Sequence, residues 1–395
     1  MRMDLLLVAQ SARMLAQSAA RAGFSASAID YFADADTRRH AARCLALAPG
    51  TAAEWLNAAA QMAPPGESTG LVYGSGLDTR PDLVAQLARG RILLGNSPAT
   101  LRRANTPQCF FRLLESLDIP FPETRFAPPE CVEGWLVKPG CGEGGKGVGF
   151  AAKKRPVFED VYYQRHIQGE ALSILFLADG KQARTIGFNT QWIARHDADQ
   201  PFLFAGAVNR ARLDAAQREE IEEYAGKLTA ALGLVGLNSL DFMVDGRSCR
   251  MLELNPRPSA TMALYDEDFD EGLLAWHIAA CRGELPPAGR PAGPVRALRI
   301  IYAPQAIWVR ADLRWPQGCA DIPNPGQKIS AGEPLCSLLA QGGNRRGVEA
   351  ALRKTETEWL RGLTQAPTEG QKDRPPEDFT ENRRGDPPAI LPPNP

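Results

Sequence analysis

An alternation at the start of the chain constrains its fold more than anything else. Met3 to Ala9 is a compact apolar run, Ser11 to Gly23 is an Ala-rich helical pattern closed by glycine, and Ala26 to Asp30 is strand-like again. Gly70 to Tyr73 then runs into Gly74-Ser75-Gly76, Asp82 to Ala88 reads as a helix, and Ile92-Leu93-Leu94-Gly95-Asn96 as another strand. An apolar run with no polar alternation suits a strand covered on both faces, and strands separated by helices pair in parallel. Residues 1–97 are therefore expected to form an α/β unit around a mostly parallel sheet.

The remainder changes character twice. Between 98 and 286 a helix (Cys109 to Leu117) precedes the strand Trp135 to Pro139, a Gly-rich loop from Gly140 to Gly149, and two strands, Val161 to Ile167 and Leu172 to Leu177, joined at Gln168-Gly169-Glu170. Ala215 to Leu232 is a long amphipathic helix stopped by Gly233, and Leu240 to Val244, Asp245-Gly246 and Arg250 to Leu254 read as a hairpin. After Leu285-Pro286-Pro287 the segments are short and β-like, including Ala297 to Tyr302 and Leu335 to Leu339, so 290–345 is expected to be a small C-terminal β-domain. Residues 368–395 are rich in Pro, Asp, Glu and Arg without apolar period, the composition of a disordered tail. A chain of 395 residues exceeds one core, and domains of roughly 100–200 residues give two or three.

Composition narrows the function classes. Hydrophobic residues make up 44% and charged residues 23%, with a formal net charge of −1, so nothing suggests the basic face of a nucleic-acid binder. Leu5 to Ala9 is far shorter than the ~20 residues of a membrane span and is followed by polar residues, which predicts a cytoplasmic protein without a membrane partner. The eight cysteines are scattered with no C-x-x-C pair, as expected of reduced thiols.

Two constellations could carry chemistry. In the first, Lys138-Pro139-Gly140-Cys141-Gly142-Glu143-Gly144-Gly145-Lys146-Gly147, a strand-end lysine meets a glycine cluster whose backbone N–H groups can close over phosphate oxygens. It fits neither the Walker loop nor the dinucleotide fingerprint, and alone it is also compatible with a mobile surface turn. In the second, alternation puts Glu253 and Asn255 on one strand face, with Leu252 and Leu254 toward the core, while Asp241 on the preceding strand can reach the same face. Three such oxygen donors suit Mg²⁺ or Mn²⁺; the plain alternative is a solvated strand face.

With these residues in view, the chain resembles the ATP-grasp superfamily over roughly Gly95 to Ala280. The resemblance implies an ATP-grasp fold with an N-terminal Rossmann-like (pre-ATP-grasp) domain. Lys138 and the loop glycines Gly142, Gly144, Gly145 and Gly147 look like its phosphate-covering elements. The stretch Gln164 to Ser173 is similar to its adenine hinge, so that Gln164 and Ile167 would line the base and Glu170 would bind the ribose hydroxyls. Asp241, Glu253 and Asn255 match its metal ligands, and Arg257 its catalytic contact to the transferring phosphate. A second nucleotide lysine is missing from Arg103-Ala104-Asn105-Thr106-Pro107-Gln108, where Arg102 or Arg103 could substitute.

The activity so implied is an ATP- and Mg²⁺-dependent ligase that makes an acyl phosphate and passes it to an amine. Gln10-Ser11-Ala12-Arg13, the Asp30 to Arg38 region and Tyr73-Gly74-Ser75-Gly76 are similar to the tyramine–glutamate ligases of methanofuran-type cofactor biosynthesis. Arg210 and Ser259 are further candidates for holding substrate, with Arg195 for an anionic group. The alternatives are a carboxylase acting on bicarbonate and a silent nucleotide-binding scaffold. Ile329 to Leu335 is similar to a biotinyl hammerhead turn but lacks the modifiable Met-Lys. The expected partners are a small carboxylate and a small amine, with a homodimer possible. His166, in the hinge, reads as a packing or backbone-capping residue rather than a catalyst, and His40, His196 and His277 show no ligand spacing and are assigned no role.

Overall fold

The computed structural model describes residues 3–152, 160–194, 200–246, 248–288 and 293–365. The expected tail at 368–395, and Arg195 and His196, lie outside the described residues.

The N-terminal strands are β1 (Asp4–Val8), β2 (Ala26–Asp30), β3 (Arg43–Ala46), β4 (Thr69–Tyr73) and β5 (Ile92–Leu93). They form one parallel sheet in the order β3-β2-β1-β4-β5. Helices α1 (Arg13–Arg21), α2 (Ala35–His40), α3 (Ala52–Met62) and α4 (Pro81–Leu87) connect them. The uniform apolarity of β1 has the expected cause. Leu5 and Leu7 pack with Leu15 and Ala16 of α1, Leu6 and Val8 with Trp55 of α3 and Val84 of α4, and none of the four is more than 1% exposed. Helix α3 starts at a capping box, in which Glu54 Oε2 accepts from the Thr51 amide at 2.7 Å while Thr51 accepts from the Glu54 amide.

Helices α5 (Pro98–Asn105) and α6 (Pro107–Ser116), each with proline in its first turn, lead to a small antiparallel sheet. Its strands are β6 (Thr124–Arg125), β7 (Trp135–Pro139), β8 (Gly149–Phe150) and β9 (Val161–Arg165), in the order β6-β9-β7-β8. The chain then enters a larger sheet through β10 (Glu170–Asp179), β11 (Ala183–Ile193), β12 (Phe204–Asn209), β13 (Val235–Asp245) and β14 (Ser248–Asn255). Helix α7 (Ala215–Leu232) covers one face of it, capped by Asp214 and ended by Gly233 at φ 63°. Helix α8 (Gly272–Ala280) covers the other face, where Leu273 and Leu274 share a core with Leu5 and Ala9 of the first sheet. One continuous core therefore joins the N-terminal unit to the large sheet.

The C-terminal segments are β-structure, as expected, but they extend the large sheet. Strands β15 (Val295–Tyr302), β17 (Cys319–Ala320) and β19 (Pro334–Gly342) complete the order β14-β13-β10-β11-β12-β15-β19-β17, while β16 (Ile307–Trp308) and β18 (Lys328–Ile329) form a separate ribbon. Helix α9 (Arg345–Gln365) packs Val348 and Leu352 against β15 and β19. Leu252 corrects the alternation argument: Leu254 is 4% exposed, but Leu252 is only half-buried, because the pairing with β13 steps from Glu253 to Met251 at the bulge and leaves Leu252 without an opposite residue.

Candidate active site

The β13–β14 hairpin brings the acidic residues together. Asp241 stands opposite Glu253, and Ser239 opposite Asn255, with a bulge between Asp241 and Phe242. Directly opposed residues share a face, so the two carboxylates look at each other. Gln191 of β11 donates to Asp241 Oδ1 at 2.9 Å. The Asn255 amide nitrogen lies 3.4 Å from Asp241 Oδ2 and 3.4 Å from Glu253 Oε1, a donor where a cation would sit. Burial first, and then the Glu253 charge, push the Asp241 carboxyl well above its usual range, with Arg257 opposing. A divalent cation reverses that penalty, and two carboxylates with the Asn255 amide oxygen, once the amide turns its oxygen from Arg257 toward them, are ligands of the hard-cation type. Among the described residues no group of three or more His, Cys, Asp or Glu could hold a metal, so the amide and groups from outside the chain must complete the shell.

Arg257 ties this face to the N-terminal unit. Its Nη2 donates to Asn255 Oδ1 at 2.9 Å, and its Nε lies 3.4 Å from Asp78 Oδ2, both side chains being 10% exposed or less. Burial works against the guanidinium charge, but Asp78, Glu143, Glu253 and Asp241 together hold it more firmly protonated than usual. Tyr73 and Asn96 fix the intervening turn: both hydrogen-bond the Pro256 carbonyl, and Asn96 also bonds Asn238 and the Val235 amide.

The Gly-rich loop closes over the same region. Gly144 accepts from the Phe204 amide at 2.8 Å, and Glu143 accepts from the Gly76 amide. A side chain at Gly145 (φ 74°) would put its Cβ 1.9 Å from the Phe202 carbonyl oxygen, so only glycine allows this seat. Burial raises the Glu143 carboxyl above its usual range, Asp78 adds to this, and Arg257 opposes it. Under the loop runs a cleft of about 1640 Å³, lined among others by Gly74 to Gly76, Gly142 to Gly144, Asp241, Glu253, Asn255, Arg257 and Ser259.

Residues 108–261 match the family described as the ATP-grasp domain. This is an ATP-grasp fold. Solved structures similar to the chain include biotin carboxylase from Campylobacter jejuni in its beta-gamma-ATP complex, at a TM-score of 0.70 and 15% identity, covering 92% of this chain and 95% of that one. N5-carboxyaminoimidazole synthetase from Staphylococcus aureus, complexed with ADP, matches at 0.68 and 13%, covering 90% and 98%. Rhizobium etli pyruvate carboxylase matches at 0.71 and 15% over 90% of this chain, which spans 37% of that polypeptide.

The other expected residues of the ATP-grasp site fall in three places. Lys138 on β7 donates to Gln164 Oε1 at 3.0 Å, and Gln164 donates to Thr124, so the lysine is aimed along the small sheet. Its ammonium lies 5.6 Å from the Tyr162 ring; burial raises the Tyr162 phenol, Lys138 opposes this, and Glu253 adds to it. Ile167 is half-buried in the β9–β10 connection, where a Cβ on Gly169 would meet the Val244 carbonyl oxygen at 2.4 Å. Glu170 accepts from Thr190 at 3.1 Å and lies 3.5 Å from Arg345 of α9, a partner that nothing local in the sequence announces.

Ser259 is buried on the cleft wall and shares a hydrogen bond with Thr261. Arg210 is elsewhere: it lines a second cavity of about 740 Å³ with Arg184, Arg218 and Tyr265, and donates to the Gly293 carbonyl. It follows Asn209, which pairs with Asn189 of β11, and precedes Ala211, whose amide donates to the Phe188 carbonyl. Neither arginine proposed to replace the missing lysine lines the cleft, since Arg102 pairs with Asp82 and Arg103 donates to the Ala231 carbonyl. His166 packs between Phe150 and Phe202. His277 is a core group, accepting from the Leu237 amide at 2.8 Å, and burial lowers it to about 4.

Proposed function

We propose that the chain is an ATP- and Mg²⁺-dependent ligase that activates a carboxylate as an acyl phosphate and joins it to an amine. The observation that carries this reading is the facing Asp241–Glu253 pair with Asn255 and Arg257, beneath a glycine loop seated on both Phe204 and Gly76. Asp241, Glu253 and Asn255 would hold the metal, which when bound offsets charge on the nucleotide phosphates.

The chain's own groups supply positioning and charge. A carboxylate oxygen of the acid forms a bond to the γ-phosphorus as the bond to ADP breaks; the amine nitrogen then attacks the acyl carbon, phosphate leaves, and the nitrogen gives up a proton. Arg257 would meet charge on the transferring group, and Lys138 would meet the nucleotide phosphates from the small sheet. No side-chain nucleophile is required. The closed 140–149 loop keeps water from an intermediate that would otherwise hydrolyse. The acid is proposed to be a glutamate γ-carboxylate and the amine tyramine- or tyrosine-like, with Arg257 and Ser259 holding the acid.

A second reading, a carboxylase acting on bicarbonate, has support from the fold shared with biotin carboxylase and with a carboxylase domain solved with MgADP and bicarbonate. The cleft of about 1640 Å³ has room for a nucleotide and an organic substrate under either reading. Phosphate release by the purified protein with ATP and Mg²⁺ separates the readings. Release that needs both glutamate and tyramine supports the ligase, release with bicarbonate alone supports the carboxylase, and release with neither, nor with other acid and amine pairs, overturns both.

A further inference from the structure

The far wall of the cleft carries a second acidic group that phosphoryl transfer does not use. Asp34, Asp36, Arg13 and Asp321 meet where α1 and α2 contact the loop after β17, with Asp30 at the end of β2 behind them. Almost every carboxylate there is committed. Asp30 accepts from the Ala12, Phe32 and Ala33 amides, and Asp36 from the Asp321 and Ile322 amides. Asp321 accepts from Arg13 Nε at 2.8 Å and from Ser11; although burial works against it, Arg13 holds its carboxyl below the usual range.

Asp34 is the exception. It is 4% exposed, lines the cleft, and its side chain makes no hydrogen bond or ion pair among the described residues. Formally four carboxylates face one guanidinium, and that guanidinium is spent on Asp321, with Asp36 at 3.8 Å. A buried carboxylate without a partner is a standing cost unless something cationic meets it. A metal is the poorer candidate, because Asp30, Asp36 and Asp321 already spend their oxygens on backbone amides and Arg13, which leaves Asp34 as a single carboxylate.

We infer that Asp34, backed by Asp321, is the binding point for a primary ammonium group of an organic substrate. The inference rests on the ligase reading and adds to it a place and a charge for one substrate. An ammonium brings three donors, and Asp34 offers both its oxygens without giving up an existing bond. Burial, followed by the charges of Asp321, Asp30 and Asp36, raises the Asp34 carboxyl to about 8 with Arg13 opposing, as suits a group that ionises fully when a cation arrives. The wall has parts from α2 and from a loop nearly three hundred residues later, joined by the Ala35 amide to the Ile322 carbonyl at 2.8 Å and by Asn324 to the Ala33 carbonyl at 2.9 Å. The subsite therefore exists only in the assembled chain.

Calorimetric titration of the full chain and of Asp34→Asn tests this, with tyramine, phenethylamine and 1,4-diaminobutane as probes and Mg²⁺·ADP titrated separately. The expected result is at least a tenfold loss of affinity for the amines that bind the parent, with Mg²⁺·ADP affinity changed less than twofold. Equal amine binding by both proteins, or no binding of any probe to the parent, overturns the inference. Saturable binding of Mn²⁺ lost with Asp34 would also overturn it, in favour of a metal site. A parent that binds amines through Asp34 but not Mg²⁺·ADP would sink the ligase reading and leave the subsite standing.

Discussion

At one end of the cleft two carboxylates face each other across a hairpin, beside Arg257 and an amide that already points a donor between them. At the other end, four carboxylates gather about Arg13, and backbone amides or the arginine satisfy all of them except Asp34. The difference lies in what each arrangement awaits. Opposed carboxylates on rigid strands prepare a fixed, doubly charged site, whereas a single unmatched carboxylate in a framework of satisfied ones prepares a place for one positive charge that comes and goes with a substrate. Burial makes both arrangements costly in themselves, and such a cost marks groups placed for binding rather than for stability.

The largest effect should come from the hairpin. Glu253→Gln removes one of the two opposed charges and should lower Mg²⁺-dependent phosphate release by at least roughly 1,000-fold, since a metal contributes several kcal/mol to such transition states. Without metal its Tm should match or exceed the parent's, because the repulsion with Asp241 is gone. Persisting activity at ordinary Mg²⁺ would erase the proposed contrast between the ends.

Arg257→Met separates charge from packing at the same end. Turnover should fall about 100-fold. Chemical denaturation should show a loss on the order of 3 kcal/mol, since Asp78 and Glu143 are left buried against each other. Activity loss without a stability change would mean that Arg257 does not hold the seam with the N-terminal unit. Lys138→Ala should act more weakly, by about 2 kcal/mol or roughly thirtyfold in ATP affinity, with little change in denaturation.

The smallest effect belongs to the other end and is read by pH. The folded state keeps a proton on Asp34 up to about 8, whereas the unfolded chain releases it near 3.8, so this group makes stability fall as pH rises through that window. Asp34→Asn should flatten the fall and raise Tm at pH 8 by roughly 3 °C. His277 has the opposite sign: burial lowers it to about 4, so its contribution is present above about 6.5 and lost as pH falls. A Tm profile of Asp34→Asn that parallels the parent's from pH 5 to 8 would mean that Asp34 does not keep its proton in the folded state.

Much of this was legible locally, and its limits were physical. The β1 run, the Ala215–Leu232 helix and the Asp241–Glu253 face follow from periodicity and caps, because neighbours in sequence determine them. The joining of β12 to β15 does not, since pairing of Val208 with Ala297 leaves no mark on either segment. β11 and β12, with their threonines, arginines and glycines, gave no clear period, and the Thr51 capping box that starts α3 went unread. At the site, Glu253 and Asn255 followed from alternation, but Asp78, Glu143 and Asp34 gain their meaning only from partners such as Arg257 and Asp321, far away in sequence.

The central claim is that a carboxylate is phosphorylated beside Asp241 and Glu253, and isotope transfer reports on it directly. Glutamate carrying ¹⁸O in its γ-carboxylate is supplied with ATP, Mg²⁺ and tyramine, and the phosphate released in turnover is analysed by mass spectrometry. The account expects one ¹⁸O atom in each phosphate formed with product. Product formation accompanied by unlabelled phosphate would contradict it.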